Sequence, residues 1–113
     1  YKNLKKKIIT FKPDYIFHLA AEAIVKKSYD NPRNTWLTNT IGTMNILEII
    51  RNYKKKLVVV IITSDKVYKN IEINRGYRET DVLGSLDPYS ASKASADIAA
   101  QSYVNSYLKK KKI

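Results

Sequence analysis

The stretch Leu57-Val58-Val59-Val60-Ile61-Ile62-Thr63-Ser64-Asp65-Lys66 decides the fold class of this chain. Its apolar half shows no alternation with polar residues and consists almost entirely of β-branched valine and isoleucine. A strand that is apolar on both faces is typical of a parallel sheet covered by helices on each side. The polar residues Thr63 to Lys66 follow at the carboxyl end of this strand, where open α/β sheets bind their ligands. We therefore expect a central strand that leads into a functional loop.

A second strand is predicted at Tyr15-Ile16-Phe17-His18-Leu19-Ala20, which is apolar and rich in β-forming residues. The preceding segment, Asn3 to Phe11, is too charged for a buried strand and predicts a surface helix that Pro13 prevents from continuing. Pro32 to Arg51 has proline in its first turn and apolar residues at roughly helical spacing, which predicts a second helix. Gly42 lies inside that helix, where close packing or a simple defect accounts for it equally well.

The last helix is predicted after a long connection. Periodicity disappears between Thr63 and Leu86, and long loops at this position are usually functional. Asp87 is then a good N-cap and Pro88 suits the first helical position, so the helix is expected to run to Leu108. The alternation of helices and strands implies right-handed βαβ crossovers. The fold class is α/β, a partial Rossmann-like doubly wound parallel sheet of which this chain holds only the central strands and helices.

The net charge of +11 raises the question of nucleic-acid binding. The lysines cluster at Lys5 to Lys7, Lys54 to Lys56 and Lys109 to Lys112, at the ends of predicted elements and without interleaved aromatic residues. This placement favours solvated surface lysines, and a basic nucleic-acid-binding protein is the alternative. The absence of cysteine and the single histidine, His18, argue against disulfides and a metal site. No apolar stretch reaches the roughly 20 residues of a membrane span, so we expect a cytoplasmic protein.

Tyr89 and Lys93 are the first candidates for catalysis. They lie four residues apart near the start of the last predicted helix, so both project from one face. An ammonium group beside a phenol favours phenolate, and phenolate is a general base. Ser64, Asp65 and Lys66 are expected at the same edge of the sheet, although a surface pair and a solvated loop would use the same residue types. His18 is expected to be a hydrogen-bonded core residue, and Thr38 or Asn39 to supply polar contacts near a cofactor.

With these motifs in place, the chain resembles the extended short-chain dehydrogenases, and among them the sugar-nucleotide 4,6-dehydratases. Ser64-Asp65-Lys66 and Gly76-Tyr77-Arg78-Glu79 resemble the branch that acts on CDP-glucose. The dTDP-glucose branch has Thr-Asp-Glu in place of Ser64-Asp65-Lys66. The shared motifs span nearly the whole sequence in the family's order, namely His18 to Glu22, Arg33 to Asn39, Gly42-Thr43, Ser64 to Lys66 and Tyr89 to Lys93.

The resemblance implies an NAD-dependent enzyme that makes a 4-keto-6-deoxy sugar. Tyr89 would take the proton of the sugar 4-hydroxyl while hydride passes from C4 to NAD, and Lys93 would hold the nicotinamide ribose. Asp65 would protonate the departing 6-hydroxyl and Ser64 would bind the oxygen at C4. Lys66 stands where the dTDP branch has a glutamate base, which leaves the C5 base open. Together with Tyr89 and Lys93, the residues implied to line the cofactor cleft are Leu19, Ala20, Ala21, Glu22, Ala23 and Thr38.

The resemblance also implies that residues 1–113 are the middle part of an NAD-binding Rossmann-like domain. The glycine-rich phosphate loop and the carboxyl-terminal substrate domain are expected elsewhere, so this chain alone is expected to be inactive and to bind NAD negligibly. The intact enzyme is expected to be a homodimer, with Ala94, Ala96, Ala99 and Ala100 permitting close helix packing, although an intramolecular contact explains these alanines equally well. An epimerase of the same superfamily is a second alternative, which would have no need of an acid at Asp65.

Overall fold

The computed structural model describes residues 1–109 and confirms the α/β fold class. Lys110, Lys111 and Lys112, which belong to the predicted lysine cluster, lie outside the described residues. The elements in chain order are α1 (Lys2–Phe11), β1 (Tyr15–His18), α2 (Val25–Asp30), α3 (Pro32–Trp36), a first π-helical segment (Leu37–Ile41), α4 (Gly42–Arg51), β2 (Val58–Ile61), a 3-10 turn (Asp65–Val67), α5 (Pro88–Tyr103) and a second π-helical segment (Val104–Leu108).

Strands β1 and β2 pair in parallel, with Tyr15 opposite Val58 and His18 opposite Ile61. Both are shorter than predicted, since Leu19 and Ala20 follow β1 outside the ladder and the residues flanking β2 do not belong to it. Beyond His18 the chain leaves the ladder, and the backbone of Glu22 bonds to a side chain instead. Because the strands are parallel, their carboxyl ends lie at one edge of the sheet.

One face of this small sheet is packed and the other is bare. Ile16 and Val59 pack against a core of buried aliphatic residues from α1, α4 and the position just before β2. On the other face Tyr15 and Phe17 are each 63% exposed and Val58 is 47% exposed. The expectation that β2 is covered on both faces is therefore wrong for residues 1–109, because the helices that form this core all lie on the same side. The buried core residues are Ile8, Ile46, Ile49, Ile50 and Leu57.

The predicted helices form, although two of them contain a π-helical segment, Leu37–Ile41 in the second and Val104–Leu108 at the end of the last. The segment from Pro32 to Arg51 is continuous, but its middle turn is π-helical, a local form that is frequent at functional sites. The last helix begins as predicted, since the carboxylate of Asp87 accepts a hydrogen bond of 3.0 Å from the backbone N–H of Ser90 and Pro88 occupies the first turn. Helix α2 was not predicted. None of the helices within residues 1–109 combines the length and the apolar character of a transmembrane span.

The small residues of these helices decide between the explanations that the sequence left open. Within residues 1–109 a methyl group added at Gly42 would meet only the carbonyl oxygen of Leu37, at an ordinary 3.7 Å, so close packing there does not explain this glycine. Ala94 and Ala96 are 2% and 1% exposed within this one chain, so an intramolecular contact accounts for both. Ala99 and Ala100 are half-buried.

Candidate active site

Lys93 places its ammonium group beside the carboxyl end of β2. Its Nζ donates a hydrogen bond of 2.8 Å to the carbonyl oxygen of Ile62, the residue that follows the strand. The residue is only 7% exposed, and burial lowers the pKa of this ammonium group. Tyr89 lies one turn earlier on α5 and is 9% exposed. The structure therefore brings the predicted Tyr89–Lys93 pair to the edge of the sheet where ligands are expected.

Ser64, Asp65 and Lys66 form a hydrogen-bonded turn directly after β2. Ser64 Oγ donates to Asp65 Oδ1 at 3.0 Å, and Lys66 Nζ lies 3.4 Å from Asp65 Oδ2. The Ser64 hydroxyl, followed by Lys66, lowers the pKa of the Asp65 carboxyl, so this group is ionised at neutral pH. The turn packs against α5 through buried Val67, while the side chains of Lys66 and Asp65 stay 60% and 78% exposed.

A buried amide joins the segment after β1 to helix α5. Asn39, in the first π-helical segment, is 1% exposed. Its Oδ1 accepts a bond of 2.8 Å from the backbone N–H of Glu22, and its Nδ2 donates to the carbonyl oxygen of Glu22 at 3.1 Å. The second Nδ2 hydrogen goes to Ser92 Oγ at 2.9 Å. Both N–H donors and the carbonyl oxygen are used, which fixes the orientation of the amide group.

Ser92 completes the connection to α5. It is fully buried, and its Oγ donates to the carbonyl oxygen of Tyr89 at 2.7 Å. Thr40 donates from its hydroxyl to the backbone carbonyl of Ser92 at 3.0 Å. No buried side-chain N or O within residues 1–109 lacks a partner. A fully satisfied buried network of this kind rigidifies its surroundings, so the spacing between the segment after β1 and the Tyr89–Lys93 turn is well defined.

His18 ends β1 as the hydrogen-bonded core residue that the sequence predicts. The hydroxyl hydrogen of Thr43 is used in a bond of 2.7 Å to the carbonyl oxygen of Asn39. Thr43 Oγ1 therefore acts as the acceptor in its 3.0 Å contact with His18 Nε2, which requires the Nε2–H form of the imidazole. Burial, followed by the charge of Lys93, lowers the pKa of His18. The ring is neutral at pH 7.

The residues expected to line a cofactor cleft lie along this same edge. Leu19, Ala20 and Ala23 are exposed, and Ala21 and Glu22 are half-buried. Thr38 is half-buried and precedes Asn39 in the π-helical segment. Small residues next to a rigid backbone leave room for a flat ligand. The amide clamp formed by Asn39, Glu22 and Ser92 was not predicted. An asparagine in a helix is a signal, since it is a poor helix former, but this helix also contains Asn34 and Asn45.

Comparisons with known proteins agree with this geometry. A family model described as GDP-mannose 4,6 dehydratase matches residues 1–110. CDP-glucose 4,6-dehydratase of Salmonella typhimurium is 42% identical over 107 residues, which cover 95% of this chain and 30% of that protein. dTDP-glucose 4,6-dehydratase of Mycobacterium tuberculosis is 38% identical over 96 residues, covering 83% of this chain and 28% of that protein. The chain thus spans less than a third of the length of these two relatives.

A solved structure shows the same arrangement of elements. The double mutant of DesIV, a dTDP-glucose 4,6-dehydratase from Streptomyces venezuelae with NAD and DAU bound, superposes with a TM-score of 0.81 at 30% identity. The match covers 94% of this chain and 32% of that chain.

Proposed function

The chain belongs to the GDP-mannose 4,6-dehydratase family, and from that membership we propose that the intact protein is an NAD-dependent sugar-nucleotide 4,6-dehydratase converting CDP-glucose to CDP-4-keto-6-deoxyglucose. The identity with the CDP-glucose 4,6-dehydratase of Salmonella typhimurium supports this choice of substrate. The Ser64-Asp65-Lys66 turn supports it as well, because the dTDP-glucose branch is expected to carry Thr-Asp-Glu there.

The bonding of Lys93 carries this proposal. Its ammonium has no carboxylate partner within residues 1–109, and the only hydrogen bond it makes there goes to Ile62. An ammonium group has three N–H donors, so two remain for a ligand at the carboxyl edge of the sheet. Hydroxyl groups of a nicotinamide ribose are suitable acceptors for them.

The residues of this edge fit the nicotinamide end of NAD. Exposed Ala20 and Ala23 leave the backbone accessible to a flat ring, and buried Lys93 offers its free donors. Bound there, NAD would supply the redox chemistry by accepting hydride from C4 of the sugar and returning it to C6. The pyrophosphate contacts have to come from outside these 113 residues, because their three glycines form no phosphate-binding loop. The residues proposed to hold the cofactor are Leu19, Ala20, Ala21, Glu22, Ala23, Thr38, Tyr89 and Lys93.

Proton transfers are assigned to the side chains of the same edge. Tyr89 removes the proton of the sugar 4-hydroxyl, and Asp65 protonates the departing 6-hydroxyl. As an acid Asp65 has to gain a proton, which its hydrogen bond from Ser64 opposes. If Ser64 turns its hydroxyl toward the sugar oxygen at C4, the largest cause of the lowered Asp65 pKa disappears. The elimination also removes the C5 proton, and the base that receives it stays open. Lys66, in contact with Asp65, stands where the dTDP-glucose branch is expected to carry its glutamate base.

The intact protein is proposed to be a cytoplasmic homodimer in which residues 1–113 are the middle part of the NAD-binding domain. An exposed apolar stripe supports the dimer. It runs along the α3–α4 helix through Trp36, Leu37, Ile41 and Met44, which are 37% to 43% exposed, and Ile98 on α5 is 53% exposed. A monodisperse monomer of the intact protein in sedimentation would contradict this part of the proposal.

The test is turnover of CDP-glucose by the intact protein with a catalytic amount of NAD. The expected product is the 4-keto-6-deoxy sugar nucleotide, and its absence would contradict the proposed function. Asp65→Asn should keep oxidation at C4 and slow the elimination of water by about 100-fold or more, as expected for loss of a general acid. Asp30→Asn, at an exposed site on α2, is the control. Unchanged elimination in Asp65→Asn would contradict the assignment of Asp65 as the acid. An epimerase needs no acid at this position and would form no 4-keto-6-deoxy product.

A further inference from the structure

Glu22 carries a carboxylate without a partner among the described residues, next to the proposed active site. Its backbone is fixed on both sides by Asn39, yet the carboxylate makes neither a hydrogen bond nor an ion pair within residues 1–109. Asp30, Glu72 and Glu79 also lack side-chain partners there, but all three are exposed, whereas Glu22 is half-buried. The carboxylate oxygens of Glu22 keep contact with solvent, so they are open to a ligand while the backbone of the residue is fixed.

The chemistry of the position restricts what the carboxylate binds. An ionised carboxylate only accepts hydrogen bonds and repels the diphosphate of a sugar nucleotide. Glu22 follows the carboxyl end of β1, and the Asn39 amide connects it to Ser92, the neighbour of Lys93. The partner of this carboxylate is therefore a neutral hydrogen-bond donor. The donor that the proposed function brings to this edge, beside Tyr89 and Lys93, is a sugar hydroxyl.

We infer that the carboxylate of Glu22 accepts a hydrogen bond from a hydroxyl of a sugar ring bound beside Tyr89 and Lys93. This inference rests on the proposed function, which brings two such rings to the site, the hexose of the substrate and the nicotinamide ribose of NAD. The hydrogen bonds from Asn39 favour this contact. They hold the backbone of Glu22 on both sides, which pre-organises its side chain and lowers the entropy cost of binding.

Glu22→Ala and Glu22→Gln in the intact protein test the assignment, with the dissociation constants of CDP-glucose and NAD measured separately by calorimetry. Loss of a hydrogen bond to a charged group corresponds to about a 10- to 100-fold weaker Kd. Weaker CDP-glucose binding with unchanged NAD binding in Glu22→Ala would show that the carboxylate binds the hexose of the substrate. Weaker NAD binding with unchanged CDP-glucose binding would show that it binds the nicotinamide ribose. Glu22→Gln, whose amide oxygen still accepts, should move the same constant by a smaller factor.

The matched control is Glu72→Ala, which removes an exposed carboxylate from the loop after β2 and should leave both constants unchanged. The inference is overturned if both Kd values of Glu22→Ala stay within about twofold of the wild type. If Glu22→Ala does not fold, Glu22→Met, which keeps the length of the side chain but has only a weak acceptor, decides by the same criterion. Binding is measured apart from turnover, so a wild-type protein that binds both ligands without forming product contradicts the proposed function and leaves the role of Glu22 decidable. A wild-type protein that binds neither ligand contradicts both.

Discussion

The side-chain amide of Asn39 pairs with both backbone groups of Glu22, at 2.8 Å and 3.1 Å, in the manner of one rung of a sheet ladder. It thereby continues the hydrogen bonding of β1 beyond His18, where β2 no longer supplies partners. Its remaining hydrogen reaches Ser92, so one buried side chain couples the proposed cofactor-lining segment to the helix of Tyr89 and Lys93.

Replacing Asn39 by aspartate should destabilise the protein, because a carboxylate cannot donate to Glu22 and Ser92. Two buried acceptors lose their donor, and we expect the free energy of unfolding to fall by about 2–4 kcal/mol in denaturant titration. Asn45→Asp on α4, where the amide makes no hydrogen bond within residues 1–109, is the control and should change it by less than about 1 kcal/mol. Equal losses in the two variants would contradict the clamp.

Gly42→Ala should stabilise the protein by about 0.5–1 kcal/mol, because alanine is the better helix former and its methyl group meets no close neighbour. Thermal and denaturant unfolding of the intact protein measure the effect. Gly84→Ala is the matched control, because Gly84 has a φ of +106° that alanine adopts only with strain. Gly84→Ala should therefore destabilise the protein. A destabilised Gly42→Ala would show that this glycine meets a neighbour from outside residues 1–109.

Acid should destabilise the wild-type protein more than a His18→Gln variant. The folded-state pKa of His18 lies below its ordinary value of 6.5, first because of burial and then because of Lys93. As the pH falls below that ordinary value, the unfolded chain binds a proton at His18 that the folded chain does not bind. Stability is therefore lost between the ordinary pKa and the lower folded-state pKa. The difference in unfolding free energy between wild type and variant, measured from about pH 7 to about pH 5, isolates this group. A constant difference would contradict the neutral, buried imidazole.

Ser64→Ala should raise the pKa of Asp65, because the Ser64 hydroxyl is the largest cause of its lowered value and Lys66 only the second. Carbon-detected NMR titration of the Asp65 carboxyl reads the shift directly. Because a general acid acts in its protonated form, the alkaline limb of the kcat/KM profile should move to higher pH with it. Ser102→Ala, at an exposed position on α5, should leave both unchanged. No movement of the Asp65 titration in Ser64→Ala would show that its pKa depends on other groups.

Local sequence signals determined several elements correctly. The N-cap at Asp87 with Pro88, the end of α1 before Pro13 and the apolar run of β2 each act through the nearest neighbours along the chain, so a short window contains the physics. The placement of Tyr89 and Lys93 on one face of α5 follows from helix geometry alone. The six-residue helix α2 was not predicted, because so short a helix is stabilised by packing rather than by helix propensity.

Only the tertiary structure decided the polar architecture of the site. Asn39 lies 17 residues from Glu22 and 53 residues from Ser92, and no periodicity connects such positions. The π-helical turn, the neutral state of His18 and the lowered pKa of Lys93 likewise depend on what surrounds each group after folding. The sequence by itself determined which residues could perform the chemistry, because composition and spacing set the local structure. The distances between these residues and their charge states were decided by the tertiary structure, because hydrogen bonding and desolvation act between groups that only the folded chain brings together.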